Sequence, residues 1–405
     1  MKLNPLLSAA LAGACGIASS AAHADATSWD PSWAFSGFGT VGYVQTNTDL
    51  GLFAGPGQSG GASKDGTLGV DSKIGGQINA KANNVFSATV QAISERNGSG
   101  NFKPAIEWAF LKAQITSDLS VRLGRIGAPL FMVSDFRDIG YSNIWVRTPI
   151  DVYGQVPYSH FDGGDAIYQH TLGSTTLTGQ VFYGKTDTVS EGTPIHVKHQ
   201  AGINVTAEFD NGITLRAGRV QGKLSADSSS LDQLVGILDQ TPFASVGDEA
   251  AVNGKDASFT GVGIGYDQGN WVASAEYTKR KTSSYISSTT GWAATLGYRI
   301  DKFTPYAVIS QLKVDSSNID NTIPTSVPQL APLAAAIDGL IANQYDNEKT
   351  DSIGVRWDAW KNIDVKAQYD HIKPGANGAR GLFNRVEPGF GAAVSVYSIA
   401  VDFVF

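Results

Sequence analysis

Between Arg125 and Asp165 three arginines (Arg125, Arg137, Arg147) and five aspartates (Asp135, Asp138, Asp151, Asp162, Asp165) are threaded through an apolar segment. No cysteine stands beside them, and no Ser/His/Asp or Cys/His set can be assembled around them. The chemistry such a set performs is electrostatic: opposed charges held in water between low-dielectric walls create a transverse field that sorts ions and dipoles. Pro129, Pro149 and Pro157 remove backbone donors, so the segment is not a strand. Leu130, Phe131, Met132, Phe136, Tyr141, Trp145, Val146, Tyr153 and Tyr158 are too apolar for a solvated tail. A loop that must pack on one side and stay wet on the other describes the constriction of a pore. The candidate constriction residues are Arg122, Arg125, Asp135, Arg137, Asp138, Arg147 and Asp151. Wall residues expected to face them are Lys73, Lys112, Arg216, Arg299 and Arg356.

Strands must position these groups, and period-two alternation marks them along the chain. Trp33 to Thr46 is the first. In Thr67 to Lys81, Leu68, Val70, Ile74, Ile78 and Ala80 oppose Asp71, Lys73, Gln77 and Asn79. Alternation over Val85 to Arg96, Ala105 to Thr116 and Leu119 to Gly124 precedes the long loop. Beyond it, pairs of strands continue to a last one at Ala392 to Phe405, giving about sixteen. Tight turns alternate with longer loops, as in an outer-membrane barrel with one end in the periplasm and the other outside. Phe209, Tyr266, Trp271, Phe303, Trp360 and Phe405 sit beside the tight turns, where an aromatic girdle belongs. Leu231 to Leu238 and Leu330 to Ala342 read as short helices within long loops. The expected fold is therefore an all-β transmembrane antiparallel barrel with the loop after strand five folded into its lumen.

Composition agrees. The 405 residues are only 17% charged and 10% aromatic, with 46 glycines, which favours strands and turns over helical bundles. A net charge of −7 without a basic run excludes nucleic acid as a partner. Residues 1–24 read as a secretory signal: Lys2, an apolar stretch from Leu6 to Ser20, and an Ala22-His23-Ala24 cleavage site. The remaining 25–405 is expected to form one barrel domain. The lone cysteine, Cys15, lies in the signal, so the exported chain has no thiol, and no cofactor or metal is expected. A lipid-anchored reading of Cys15 is disfavoured by the small residue, Ala12, three positions before it.

The signal, the sixteen strands, the terminal Phe405 and the long loop after the fifth strand together resemble the general (trimeric) porins of Gram-negative outer membranes. Phe161-Asp162-Gly163-Gly164-Asp165 only loosely echoes the Pro-Glu-Phe-Gly-Gly run of the enterobacterial members. The resemblance implies passive diffusion of small hydrophilic solutes and ions, with outer-membrane lipid around the chain and a homotrimer as the assembly. Ala34, Ser36 and Gly39, taken as a small-residue outer face, point the same way.

Other readings stand beside this one. A substrate-specific porin would use Tyr141, Trp145, Tyr153 and Tyr158 as a stacking path for sugars, aromatic acids or anions, although the same rings serve to fix the loop. A barrel enzyme or an adhesin is the different-class alternative. His196-Val197-Lys198-His199 is read as surface loop, not a metal site. Gly261-Val262-Gly263-Ile264-Gly265 is read as a strand whose glycines face the lumen or the packed loop, not as a nucleotide loop.

Overall fold

The computed structural model describes residues 31–344, 346–375 and 380–405. Residues 1–24, expected to be a signal peptide and holding Cys15, lie outside the described residues. The described residues form eighteen strands: β1 (Ser32–Thr46), β2 (Gly51–Phe53), β3 (Lys73–Lys81), β4 (Phe86–Glu95), β5 (Ala105–Gln114), β6 (Leu119–Gly127), β7 (His160–Leu172), β8 (Thr175–Ser190), β9 (Thr193–Phe209), β10 (Ile213–Ala226), β11 (Lys255–Gln268), β12 (Trp271–Thr282), β13 (Ser288–Tyr298), β14 (Phe303–Ser316), β15 (Glu348–Trp360), β16 (Ile363–Pro374), β17 (Phe383–Val386) and β18 (Val394–Val404). Sixteen close an antiparallel ring in which β1 pairs with β18 and β3, while β2 and β17 form a separate two-stranded sheet. Closure matters physically, because an open edge cannot satisfy its backbone groups in lipid. No helix among the described residues is long and apolar enough to cross a membrane.

Each wall strand has an apolar and a polar face. In β6 Val121 and Leu123 are exposed, whereas Ser120 is buried and Arg122 half-buried. In β18 Tyr397, Ile399 and Val401 are exposed between buried Val396, Ser398, Ala400 and Asp402. Trp271, Phe303, Trp360 and Phe405 stand exposed at the tight-turn end. Trp271 packs edge-on to Tyr298, with ring centroids 4.7 Å apart, and Phe303 stacks on Trp357 at 6.0 Å.

Some local expectations are corrected. The strand expected from Thr67 begins only at Lys73, because Ser72 turns its Oγ to the Gly42 N–H at 3.0 Å. Leu68 and Val70 consequently differ, one exposed and the other buried, although they share a parity. Ala34 and Ser36 are not on the outer face. They share the parity of Phe38 and Thr40 and register with Asn79 and Gln77, whereas exposed Trp33, Phe35 and Val41 point the other way with Gly39. His196 to His199, expected as surface loop, belong to a long hairpin that turns at Glu191-Gly192, both at positive φ. His196 and His199 are therefore strand residues of β9. The helices expected near 231–238 and 330–342 are observed as Ser229–Leu238 and Ala331–Ala342, with a further helix at Ala244–Ala250.

Candidate functional site

The segment 128–159 joins the fifth and sixth wall strands, β6 and β7, and contains one helical turn at Gly140–Ser142 and another at Ile150–Tyr153. Part of it is pinned by packing. Leu130, Phe131, Val152, Tyr153 and Val156 bury with Ile126, Phe161, Phe182, Val220, Phe259 and Ala293 of the wall. Phe131 stacks on Tyr153 at 4.4 Å and meets Phe259 edge-on at 5.1 Å. Gly261, Gly263 and Gly265 of β11 face Leu130 and Met132, and a Cβ at Gly263 would overlap the Met132 side chain. That glycine run is the strand facing a packed loop that its period-two spacing suggested.

The rest is held by polar wall side chains. Arg216 of β10 donates to the Pro129 carbonyl, and Glu276 of β12 accepts from the Met132 N–H at 2.9 Å and the Tyr153 hydroxyl at 3.0 Å. Gln155 donates to Thr278 at 2.6 Å and accepts from Thr289 at 3.0 Å. Trp145 donates to Thr295 of β13 at 3.1 Å, and Ser310 of β14 donates to Asp151. Arg356 of β15 gives Nη1 to the carbonyls of Tyr141 (2.6 Å) and Asn143 (3.0 Å), while stacking 4.9 Å from the Tyr141 ring. Lys366 of β16, fully buried, donates to the Gly140 carbonyl at 2.6 Å and pairs with Asp402 of β18 at 2.8 Å. Gly140 lies so close to Thr40 and Asp402 that no side chain fits there.

Two charged clasps complete the site. Arg147 grips Asp71 (3.0 and 2.7 Å) and Asp370 (2.8 Å), with its guanidinium 5.0 Å above the Phe53 ring. Burial works against its charge, but the two carboxylates outweigh that and hold its pKa above the ordinary range. Asp138 pairs with Lys73 at 3.1 Å and lies 3.7 Å from Arg137. Burial opposes its charge too, yet Lys73 and Arg137 prevail and keep its carboxyl below the usual value. Asp151 behaves oppositely. It is fully buried, and burial pushes its carboxyl up to about 6 despite the Ser310 hydroxyl. Its Oδ1 and the Oε1 of neighbouring Glu348 have no hydrogen-bond partner among the described residues, and a proton shared between the two carboxyls satisfies both.

The sequence-selected residues thus separate into groups. Arg147, Asp151, Arg216 and Arg356 are fasteners. Asp135 is exposed and makes no ion pair among the described residues; Arg137 and Asp138 stand beside it, with Lys73 on the wall. Lys112 and Arg122 register opposite each other on β5 and β6, and Arg122 is bridged to Asp165, which Gln180 also contacts at 2.6 Å. Arg125 is not a loop residue. It belongs to β6, shares the parity of exposed Val121 and Leu123, and pairs on that face with Asp162 at 2.8 Å. Arg299 sits just past β13 at a tight turn, bridged to Asp267, away from the loop. Sequence reading missed Gln155, Gln200 and Gln368 as fasteners, although Gln368 has the polar-face parity of Lys366 and Asp370.

Known structures share this architecture. The chain superposes on Salmonella typhi OmpF with TM-score 0.56 at 13% identity, covering 92% of this chain and 97% of that one. It is likewise similar to the outer membrane channel DcaP of Acinetobacter baumannii (TM-score 0.54, 13% identity, 93% and 97% covered). The anion-selective porin of Comamonas acidovorans gives 0.51 at 14% identity, with 93% and 100% covered. No family model and no curated protein matches the sequence. The fold is that of the outer-membrane porins, and the chain resembles their general, sixteen-stranded type.

Proposed function

We propose that the chain is an outer-membrane channel through which small hydrophilic solutes and ions diffuse passively, narrowed by segment 128–159 inside the ring. One observation carries the reading: polar-face side chains from β3, β18, β16, β15, β14, β13, β12, β10 and β9 all bond to this one segment. Strands spread so far around a closed ring reach a common loop only by pointing inward to it. On the arc from β4 to β8, Glu107 of β5 accepts from Ser159 at the end of the segment, while Arg122, Asp165 and Gln180 bond to one another within the wall; the water path we propose runs between that arc and Asp135, Arg137 and Asp138. Export by the signal at 1–24 delivers the chain to the outer membrane, where the exposed apolar face meets lipid.

The assembly we propose is a homotrimer. Its support is the outer face of β3 to β5, where Ile74, Gly76, Ile78, Ala80, Ala88, Val90, Ala109 and Leu111 present small aliphatic groups, and a Cβ at Gly76 would meet nothing within 4 Å. Such a surface packs closely against another wall. Crosslinking should trap trimers, and Gly76→Trp should lower their yield; monomers alone would contradict the assembly.

Single-channel recording in planar bilayers tests the channel. Conductance should be ohmic, and deleting Gly140–Arg147 should raise it by enlarging the opening. Unchanged conductance in a folded, inserted deletion protein would place the segment outside the path. A solute-specific porin is the second reading, favoured by the cavity described next.

A further inference from the structure

At the long-loop end, above the helical turn Ile150–Tyr153, lies a cavity of about 300 Å³. Val197, Leu224, Phe259 and Ile286 give it an apolar wall. Two guanidinium groups reach it in different states. Arg380 faces two carboxylates, Asp346 at 3.1 Å and Glu191 at 3.4 Å. Arg280 donates only to the carbonyls of Gln155 (2.8 Å) and Ser287 (3.0 Å). Its Nε is buried without an acceptor, and no described carboxylate lies within ion-pair distance. Asp346 also acts on Arg280, from beyond ion-pair distance, so the lining balances two guanidinium groups against two carboxylates, with Arg280 the base left without a direct ion pair.

We propose that this cavity binds a small zwitterion with an apolar side chain, an amino acid or dipeptide. The carboxylate lies on the Arg280 guanidinium, whose Nη1 and Nη2 each make one hydrogen bond to a carbonyl and keep a second hydrogen to donate; the ammonium lies on Glu191 and Asp346, and the side chain on the apolar wall. The neutral sum of the lining charges disfavours simple anions and cations alike, because each adds an uncompensated charge to a balanced lining. The proposal rests on the channel reading, since it names the solute class the path admits.

Calorimetry on the purified full chain in detergent tests it, with L-phenylalanine, 3-phenylpropionate and 2-phenylethylamine as probes. Phenylalanine should bind about tenfold or more tighter than either singly charged probe, the scale of one charge-assisted contact. Arg280→Gln should cost phenylalanine and phenylpropionate about tenfold and leave phenylethylamine unchanged. Glu191→Gln, at an exposed hairpin tip, should do the reverse for the two singly charged probes, and it decides the matter if Arg280→Gln fails to fold. Phenylpropionate binding as tightly as phenylalanine, or no binding by any probe, overturns the proposal. A protein that conducts in bilayers without binding phenylalanine loses this site and keeps the channel; one that binds without conducting loses the channel instead.

Discussion

Phe405 and Gly37 are joined twice across the seam that closes the ring. The Gly37 N–H donates to the Phe405 carbonyl at 2.9 Å, the Phe405 N–H returns to Gly37 at 3.0 Å, and the Phe405 ring covers the space where Gly37 lacks a Cβ. Phe403 covers Gly39 in the same way. These rings fill the outer groove that small residues in β1 would otherwise leave, and that is why the trimer face is assigned to β3–β5 instead. Deleting Phe405, or replacing Gly37→Val, removes or displaces this seal where unpaired backbone groups meet lipid. The heat-modifiable, folded form on detergent gels should fall several-fold for both variants, while Phe303→Leu at the girdle keeps it.

The Arg147 clasp should be costly to break and cheap to replace. Arg147→Gln strands Asp71 and Asp370 as buried carboxylates, at a cost on the order of 3 kcal/mol. The unfolding midpoint in detergent should drop and open-channel current noise should rise. Combining Arg147→Met with Asp71→Asn and Asp370→Asn removes the charges together, and most of the lost stability should return. A triple variant no more stable than the single one would show that the clasp does more than compensate charge.

Selectivity should follow the charges beside the proposed path, not the fasteners. Asp135→Asn with Asp138→Asn removes acids beside the proposed path and should move the reversal potential toward anions. Arg122→Gln uncovers Asp165 and should move it toward cations. Arg125→Gln, on the lipid-side face with Asp162, should leave it unchanged. A shift for Arg125→Gln as large as that for Arg122→Gln would overturn the parity assignment.

Asp151 gives the loop a pH response of defined sign. Its carboxyl rises from 3.8 to about 6 through burial, so the folded state holds the proton more tightly than the unfolded one. The attachment is strongest below about pH 4 and weakens as the pH rises through 6, by up to roughly 3 kcal/mol. Asp151→Asn should flatten this dependence and raise the unfolding midpoint at pH 8. A variant that keeps the wild-type slope between pH 4 and 7 would count against the shared proton.

Much of this was legible from alternation alone: the sixteen wall strands, the loop after the fifth, and the polar-face parity of Lys366, Asp370 and Glu276. What failed was assignment that depends on neighbouring strands. Ala34, Ser36 and Arg125 have side-chain types that suit either face, and only register with Asn79, Gln77 and Asp162 decides. Asp71 followed the period of its strand although the strand had not begun. The pairing of β2 with β17, which sets Phe53 under the Arg147 guanidinium, joins segments from the two ends of the chain and leaves no local signal. Arg280 and Arg380 look alike in sequence; their difference lies in which carboxylates the loops bring to each.

The tight approach of Gly140 to Thr40, Lys366 and Asp402 bears on assembly. Thr40 and Asp402 are register partners across the β1–β18 seam, where the first and last wall strands meet. Lys366 bonds at once to the loop carbonyl of Gly140 and to Asp402 of the seam, so one ammonium fastens both. The loop and the seam thereby share a single anchoring charge. A loop seated at Gly140 thus braces the ring at its seam, the place where the two end strands of the wall are held together only by each other.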